Sequence, residues 1–408
     1  MQVVDWTGRF SGEAVDVVRP ASVAEVAQVL RSGYAVTTRG GNTGLVGGAV
    51  PASDRPTVVL DTTRLGGLGP VDEAAGQVTV GAGATLAQVQ AHAAAAGWAY
   101  GVDLAARDSA TIGGTVATNA GGIRVVRYGM TRAQVVGVAA VLADGSVVDD
   151  TRGLLKDNTG YGLSGLLCGS EGTLAVITAV RLALHVPPRS ASLGVAPVPS
   201  LAAALALVAA VRRSGAELLA AEVVDAASLR LAGEPAPQPW RLFLEVADGG
   251  GADGLSALPE DAEVALDGAA RRRAWAVREG MTERWGRAAT EVGTVVQKFD
   301  VSVPLGSLDA FVAAVRGQLG ARVGMFGHVA DGNLHLEVID AGREWDDEVL
   351  QLVARFGGSI SAEHGIGVAK RSWLRLSRSP AQIAAMRAIK SALDPQWVLN
   401  PGVLFEPR

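Results

Sequence analysis

RGGNTGLVGG (39–48) and TIGGTVATNAGG (111–122) are the two stretches on which the reading of the fold turns. Consecutive glycines remove the Cβ atoms that would hold two backbones apart, and they let main-chain N–H groups converge around an anion such as a diphosphate. GSEGTL (169–174) has the same character, and short β-branched runs lie among the three clusters: TVVLD (57–61), QVTVGAG (77–83) and LAVIT (174–178). The alternation predicts a sheet-rich α+β domain whose turns approach a ligand closely. No cluster is a GxGxxG opening a helix after a strand, and no GKS or GKT occurs, so classical NAD binding and ATP hydrolysis lose support while a dinucleotide stays a reasonable ligand. Any single cluster, taken alone, reads at least as well as a tight turn.

Working outward, Val23, Val26, Ala27 and Leu30 share one face of a helix expected over 21–32, with Ser22 as its N-cap. HVPPRSASLGVAPVPS (185–200) carries four prolines and is the best domain junction. Beyond it helices are expected near 199–214, 268–286, 307–319 and 344–356. Strands are expected at 240–246 and 294–303, in a hairpin over 321–339, and in a short piece leading into SAEHG. GEPAPQP (233–239) and GGGADG (249–254) read as loops. The β-α-β-β-α-β order of the last part suggests a ferredoxin-like sheet.

The chain has 408 residues and 49% apolar content, enough for two cores. A net charge of −5 argues against a nucleic-acid footprint, and the densest basic stretch, Arg271 to Arg287, is interleaved with Glu279 and Glu283 like a solvated helix face. Cys168 is the only cysteine, which excludes an intrachain disulfide and a four-cysteine cluster. The N-terminus lacks a secretory pattern and the longest apolar run, 201–211, is too short to span a bilayer, so a cytoplasmic protein is the default expectation.

Five histidines occur in the chain, and three fall close together: His328 and His335 in GHVADGNLH, and His364 beside Glu363 in SAEHGIG. If Asp331 and Gly332 are the two central residues of a tight hairpin, His328 faces His335 directly, close enough for both imidazoles to share one divalent metal ion. Glu363 is the nearest acidic third ligand. Either histidine alone reads better as an ordinary strand residue, whereas the full constellation favours a reactive centre.

Seven motifs occur in a fixed order: RGGNTGLVGGAVP, TIGGTVATNAGG followed by RYG (127–129), VLADG (141–145), GSEGTLAVIT, GHVADGNLH, SAEHGIG and DPQWVLNPG (394–402). Together they resemble the FAD-dependent 2-hydroxy-acid dehydrogenases of the vanillyl-alcohol oxidase and p-cresol methylhydroxylase superfamily, in the branch of D-lactate dehydrogenase, D-2-hydroxyglutarate dehydrogenase and the glycolate oxidase catalytic subunit. The resemblance implies an α+β fold with a two-subdomain FAD-binding domain of p-cresol methylhydroxylase type (1–189), a ferredoxin-like α+β substrate or cap domain (190–390), and a C-terminal segment (391–408) returning to the FAD domain.

It implicates Gly40, Gly41, Asn42, Thr43, Gly44, Ser109, Gly113, Gly114, Asn119, Gly122, Glu171, Ile177 and Asn400 in FAD binding. The cofactor is expected to be non-covalent, because Asn42 and Thr43 stand where some members place a tethering histidine. It maps His328, His335 and Glu363 onto ligands of a divalent metal, expected to be Zn²⁺, with His364 as base. Arg278, with Thr282 one helical turn later, and Lys298 match the family's carboxylate-binding positions; without the resemblance each reads as a surface charge. Flavin reoxidation is expected through an electron-transfer protein or quinone, and a homodimer is among the assemblies left open. One departure stands out: Glu337 occupies a position that is Asn in the D-2-hydroxyglutarate branch, on the same strand face as His335. It keeps open a same-fold flavoenzyme for a different alcohol, and a non-catalytic FAD subunit of a glycolate-type dehydrogenase is the further alternative.

Overall fold

The computed structural model describes residues 1–52, 55–247, 254–265 and 267–406. Most of the 249–254 loop therefore lies outside the described residues. The chain divides into two compact units: 1–122, 128–187 and 363–408 form one, and 123–127 with 188–362 form the other.

In the first unit a parallel three-stranded sheet places Thr57–Asp61 between Asp16–Val18 and Ala35–Arg39. Its central strand is buried at every position, as expected of a parallel strand covered on both faces. Ser22 caps the helix Val23–Leu30 by accepting the Glu25 N–H, and Val26, Ala27 and Leu30 face the core. A second, antiparallel sheet runs Leu68–Asp72, Gln77–Gly81, Val176–Ala183, Val135–Val141, Val147–Asp149. Its core joins Val78, Val80 and Val180 to Ile112 and Val116 of the helix Ile112–Thr118.

The C-terminal part rejoins this unit at Glu363, earlier than the 391 that the terminal motif suggested. The cause is packing: Ile366, Ile383 and Met386 lie against Trp397 and Phe405, and Leu393 packs on the core of the second sheet. Val398 and Asn400 exchange backbone hydrogen bonds with Val36, adding an extended segment beside the parallel sheet.

The second unit is built on one seven-stranded antiparallel sheet, ordered Glu263–Ala265, Ala191–Val198, Trp240–Ala247, Leu218–Asp225, Val323–His328, Asn333–Val338, Gln297–Ser302. Two β-α-β-β copies supply six of its strands, and Glu263–Ala265 adds the seventh at the edge. The first is Ala191–Val198, helix Leu201–Arg213, Leu218–Asp225 and Trp240–Ala247; the second is Gln297–Ser302, helix Leu308–Leu319, Val323–His328 and Asn333–Val338. In each copy the third strand inserts between the first two, and the copies meet where Leu218–Asp225 pairs Val323–His328.

The division between the units falls at Pro187 and Pro188, inside the proline-rich stretch 185–200, and 191–198 then pairs along its whole length with Trp240–Ala247; Pro197 is tolerated beyond the three residues that bond the flanking strand. Two expectations change here. The helix expected over 268–286 is two, Gly268–Glu279 and Met281–Glu291, divided at Gly280. The short strand expected before Glu363 reduces to a single bridge between Ser302 and Ser359.

Candidate active site

Register in the second unit decides which side chains meet. Glu222 pairs with His328, His328 with Asn333, Phe326 with His335, Asp300 with His335, and Lys298 with Glu337. Paired residues of an antiparallel ladder share a face, so Glu222, His328, His335, Glu337, Asp300 and Lys298 project from one side of the sheet. The same side carries Val224, Phe243 and Phe326, which pack under Trp275, Met281 and Trp285 of the two helices. The polar groups therefore border an apolar layer, and Glu222, Asp300, His328 and Glu337 are all buried.

His328 and His335 are not directly opposed. The strands are joined by the four residues 329–332, the pairing is His328 with Asn333, and the two histidines sit diagonally. A two-residue type I′ turn needs a left-handed backbone at both central positions, but only Gly332 has positive φ (82°). Asp331 instead accepts the Asn333 N–H on Oδ1 at 3.1 Å, and its own N–H donates to the His328 carbonyl at 3.3 Å. The imidazoles meet all the same: their ring centroids are 5.5 Å apart at 77°, and ligand nitrogens of the two rings come within 4.8 Å.

Glu222 holds this corner together. Its Oε1 is 2.5 Å from His328 Nδ1, and its Oε2 accepts Arg278 Nε at 2.8 Å and lies 2.7 Å from the Arg278 Nη2. Burial by itself raises a carboxyl pKa, but His328 and Arg278 outweigh it and hold Glu222 below its ordinary range. Arg278 is buried, not a solvated charge, and its guanidinium also lies 4.8 Å from the Phe326 ring centroid. Asp300 accepts Asn333 Nδ2 at 2.9 Å and lies 3.9 Å from His335 Nδ1.

Glu337 pairs with half-buried Lys298, and the hydroxyl of Thr282 hydrogen-bonds its carboxyl. Desolvation raises its pKa to about 8 against the opposing pull of Lys298, and its Oε2 finds no hydrogen-bond partner among the described residues. Thr282, Lys298 and Glu337 thus form one group and Arg278, Glu222 and His328 another, on the same side of the sheet. Sequence reasoning missed Glu222 and Asp300. The available signal was a single carboxylate inside an otherwise apolar strand, LLAAEVVD, and the period-2 relation of Asp300 to Lys298.

In the first unit the glycine clusters do converge. A Cβ on Gly41 would stand 1.8 Å from the Ser109 carbonyl oxygen and one on Gly40 2.2 Å from Thr111 Oγ1, so the first two clusters touch through backbone that only glycine permits. Gly113 backs onto Ala82, and Gly122 lies against the Asp103 carbonyl. Nothing stands within 4 Å of a Cβ built on Gly44, nor within 3 Å of one on Gly114, which leaves open backbone flanked by Asn42 and Thr43. This cradle fits a dinucleotide diphosphate.

Other residues implicated in FAD binding have local tasks. Asn119 closes the helix Ile112–Thr118 in a left-handed conformation and accepts the Arg132 N–H. Ile177 is a core residue of Val176–Ala183. Glu171 is half-buried and accepts the Ile366 and Gly367 N–H groups at 2.9 and 2.7 Å, while desolvation raises its pKa. Asn400 accepts the Thr38 N–H and donates to the Glu171 carbonyl. Glu171 therefore pins the loop that carries Glu363 and His364, and one Glu363 oxygen accepts the Gly122 N–H at 2.7 Å. His185 pairs through its backbone with Ala99 and stacks on Tyr128, and His92 contacts the Gly69 carbonyl, so neither joins a reactive cluster.

Residues 187–404 match the C-terminal domain family of the FAD-linked oxidases, and residues 16–151 match an FAD binding domain family. The chain belongs to the FAD-linked oxidases, flavoprotein oxidoreductases that use FAD. It is similar to the D-2-hydroxyglutarate dehydrogenase of Xanthomonas citri pv. viticola, at 38% identity over 98% of this chain and 91% of that protein. The mitochondrial D-2-hydroxyglutarate dehydrogenase of Bos taurus is 36% identical over 98% of this chain and 78% of its own length. Among solved structures, alkyldihydroxyacetonephosphate synthase superposes with a TM-score of 0.73 at 17% identity, covering 94% of this chain and 75% of that one, a likeness of fold alone. No helix among the described residues is long and apolar enough to cross a membrane.

Proposed function

We propose that the protein oxidises a D-2-hydroxy acid to the 2-oxo acid, with FAD as acceptor and a divalent cation, Zn²⁺ by its donor set, assisting. The observation that carries this reading is the pair of buried His328 and half-buried His335, set on one sheet face with Lys298 and reached by Arg278 from the helix Gly268–Glu279. FAD supplies hydride acceptance when bound, and a divalent cation lowers the pKa of a coordinated hydroxyl. Two imidazoles and a carboxylate with an open position suit such a cation, and the donors assigned to it are His328, His335 and Glu363. His364 takes the hydroxyl proton as general base. Gly40, Gly41, Asn42, Thr43, Gly44, Ser109, Gly113, Gly114 and Gly122 form the diphosphate cradle, while Asn119, Glu171, Ile177 and Asn400 shape it.

The substrate carboxylate falls to Lys298 and to the edge of Arg278 turned away from Glu222, since Nε and Nη2 already face that carboxylate. Reoxidation by an electron-transfer protein or a quinone completes the cycle. Steady-state assay of the isolated chain with an artificial dye acceptor tests the proposal. Turnover of D-2-hydroxyglutarate or D-lactate is expected; a flavin-loaded protein that turns over no 2-hydroxy acid would reduce it to a non-catalytic subunit. The burial of Glu337 beside Lys298 favours a second reading, in which a different alcohol is the substrate. Unchanged substrate preference in a Glu337→Asn variant would remove that residue as a cause.

A further inference from the structure

Glu222 is buried and contacts two residues with separate assigned tasks, His328 and Arg278. It lies on the strand pair that joins the sheets of the two β-α-β-β copies, through the pairs Glu222–His328, Val223–Gly327 and Val224–Phe326. A carboxylate is expensive to bury, and the surrounding strand is otherwise apolar except for Asp225 at its end.

We propose that Glu222 is a positioning residue: by occupying Nδ1 of His328 and the Nε/Nη2 edge of Arg278, it fixes which imidazole nitrogen meets the metal and where the substrate-binding cation stands. The inference rests on the reading of His328 as a metal ligand. Nδ1 is engaged by Glu222 Oε1 at 2.5 Å, so the proposal assigns the cation to Nε2. The carboxylate also restrains ring rotation and raises the basicity of the ligating nitrogen, as outer-shell carboxylates do for metal-bound imidazoles. Its second oxygen orders the guanidinium, whose other face is braced by Phe326 4.8 Å away. One buried group thereby couples the geometry of the metal ligand to that of the carboxylate-binding arginine. Removing it should disturb metal affinity and substrate KM together, an outcome that loss of a merely structural acid would not produce.

Two measurements test this. Metal-stripped, FAD-loaded protein is titrated with Zn²⁺ against a chromophoric chelator, comparing the wild type with Glu222→Gln, and with flavin content and circular dichroism confirming that the variant is folded. The expected result is a Zn²⁺ dissociation constant 10–100-fold higher in the variant. Equal affinity in the two proteins would overturn the role of Glu222 while leaving the metal site standing. A wild type that binds no divalent cation would instead overturn the metal reading and this inference with it. If Glu222→Gln does not fold, ¹⁵N NMR of the Zn²⁺-loaded wild type decides: the proposal requires His328 protonated at Nδ1 and ligated through Nε2, and ligation through Nδ1 contradicts it.

Discussion

His364 sits in a loop whose backbone is pinned by the Glu171 carboxylate through the Ile366 and Gly367 N–H groups. That arrangement holds a base in place without engaging it in the pinning bonds. A His364→Gln variant should lose about 10²–10⁴-fold in kcat, the usual contribution of a positioned general base. Zn²⁺ content, measured by elemental analysis, should stay at the wild-type level; kcat within a few-fold of wild type would remove the residue from proton transfer. Cys168 makes the opposite case. It is buried in the core of the second sheet of the first unit, and desolvation pushes its thiol pKa up to about 11 against the weaker opposing effect of Arg132. Since the thiolate is the reactive form, at pH 8 the folded protein should react with a thiol reagent only as fast as it opens, and rapidly once unfolded in urea. Fast labelling of the native protein would place the thiol elsewhere.

The hairpin shows what element-scale patterning reveals and what it hides. The Asp-Gly signal correctly placed a turn between two strands, but a two-residue loop and a four-residue loop share it. The difference moved His328 from facing His335 to a diagonal position. What selected the longer loop was tertiary: the Val329 N–H bonds the Ala221 carbonyl, and the Val303 N–H bonds the Gly332 carbonyl. No local pattern encodes either bond. Gly332 combines a φ of 82° with a position where a Cβ would lie 2.3 Å from the Val303 carbonyl. Gly332→Ala should therefore cost about 1–3 kcal/mol in backbone strain, read as a lower urea midpoint, with loss of Zn²⁺ affinity as the histidine strands shift. An unchanged midpoint would mean the turn relaxes without strain.

Across the whole molecule the glycine clusters, the proline-dense junction and the histidine motifs each leave a local mark in the sequence: runs without Cβ atoms, chain breakers, rare residues brought close together. The strand Ala191–Val198 hid inside that junction, and Glu222 lay more than a hundred residues from its partner His328. Long-range pairing of this kind has no signature in a single sequence. The return of the C-terminal segment rests on Lys390 as well as on its apolar packing. This buried lysine donates to the Thr173 and Leu399 carbonyls and pairs with buried Asp394, which in turn accepts the Val398 and Leu399 N–H groups. Lys390→Met leaves Asp394 as an uncompensated buried charge, at a cost of about 3–5 kcal/mol. Thermal release of flavin should move to distinctly lower temperature, whereas a wild-type release curve would show that the segment is held by its apolar contacts alone.

The central claim is that bound FAD takes reducing equivalents from the D enantiomer of a 2-hydroxy acid at the histidine centre. Anaerobic mixing of the purified, FAD- and Zn²⁺-loaded protein with D- and L-2-hydroxyglutarate and D- and L-lactate, followed through the visible flavin absorbance, measures it directly. Rapid bleaching by a D acid and none by its L partner is the predicted result; an absorbance unchanged by every D acid would contradict the account.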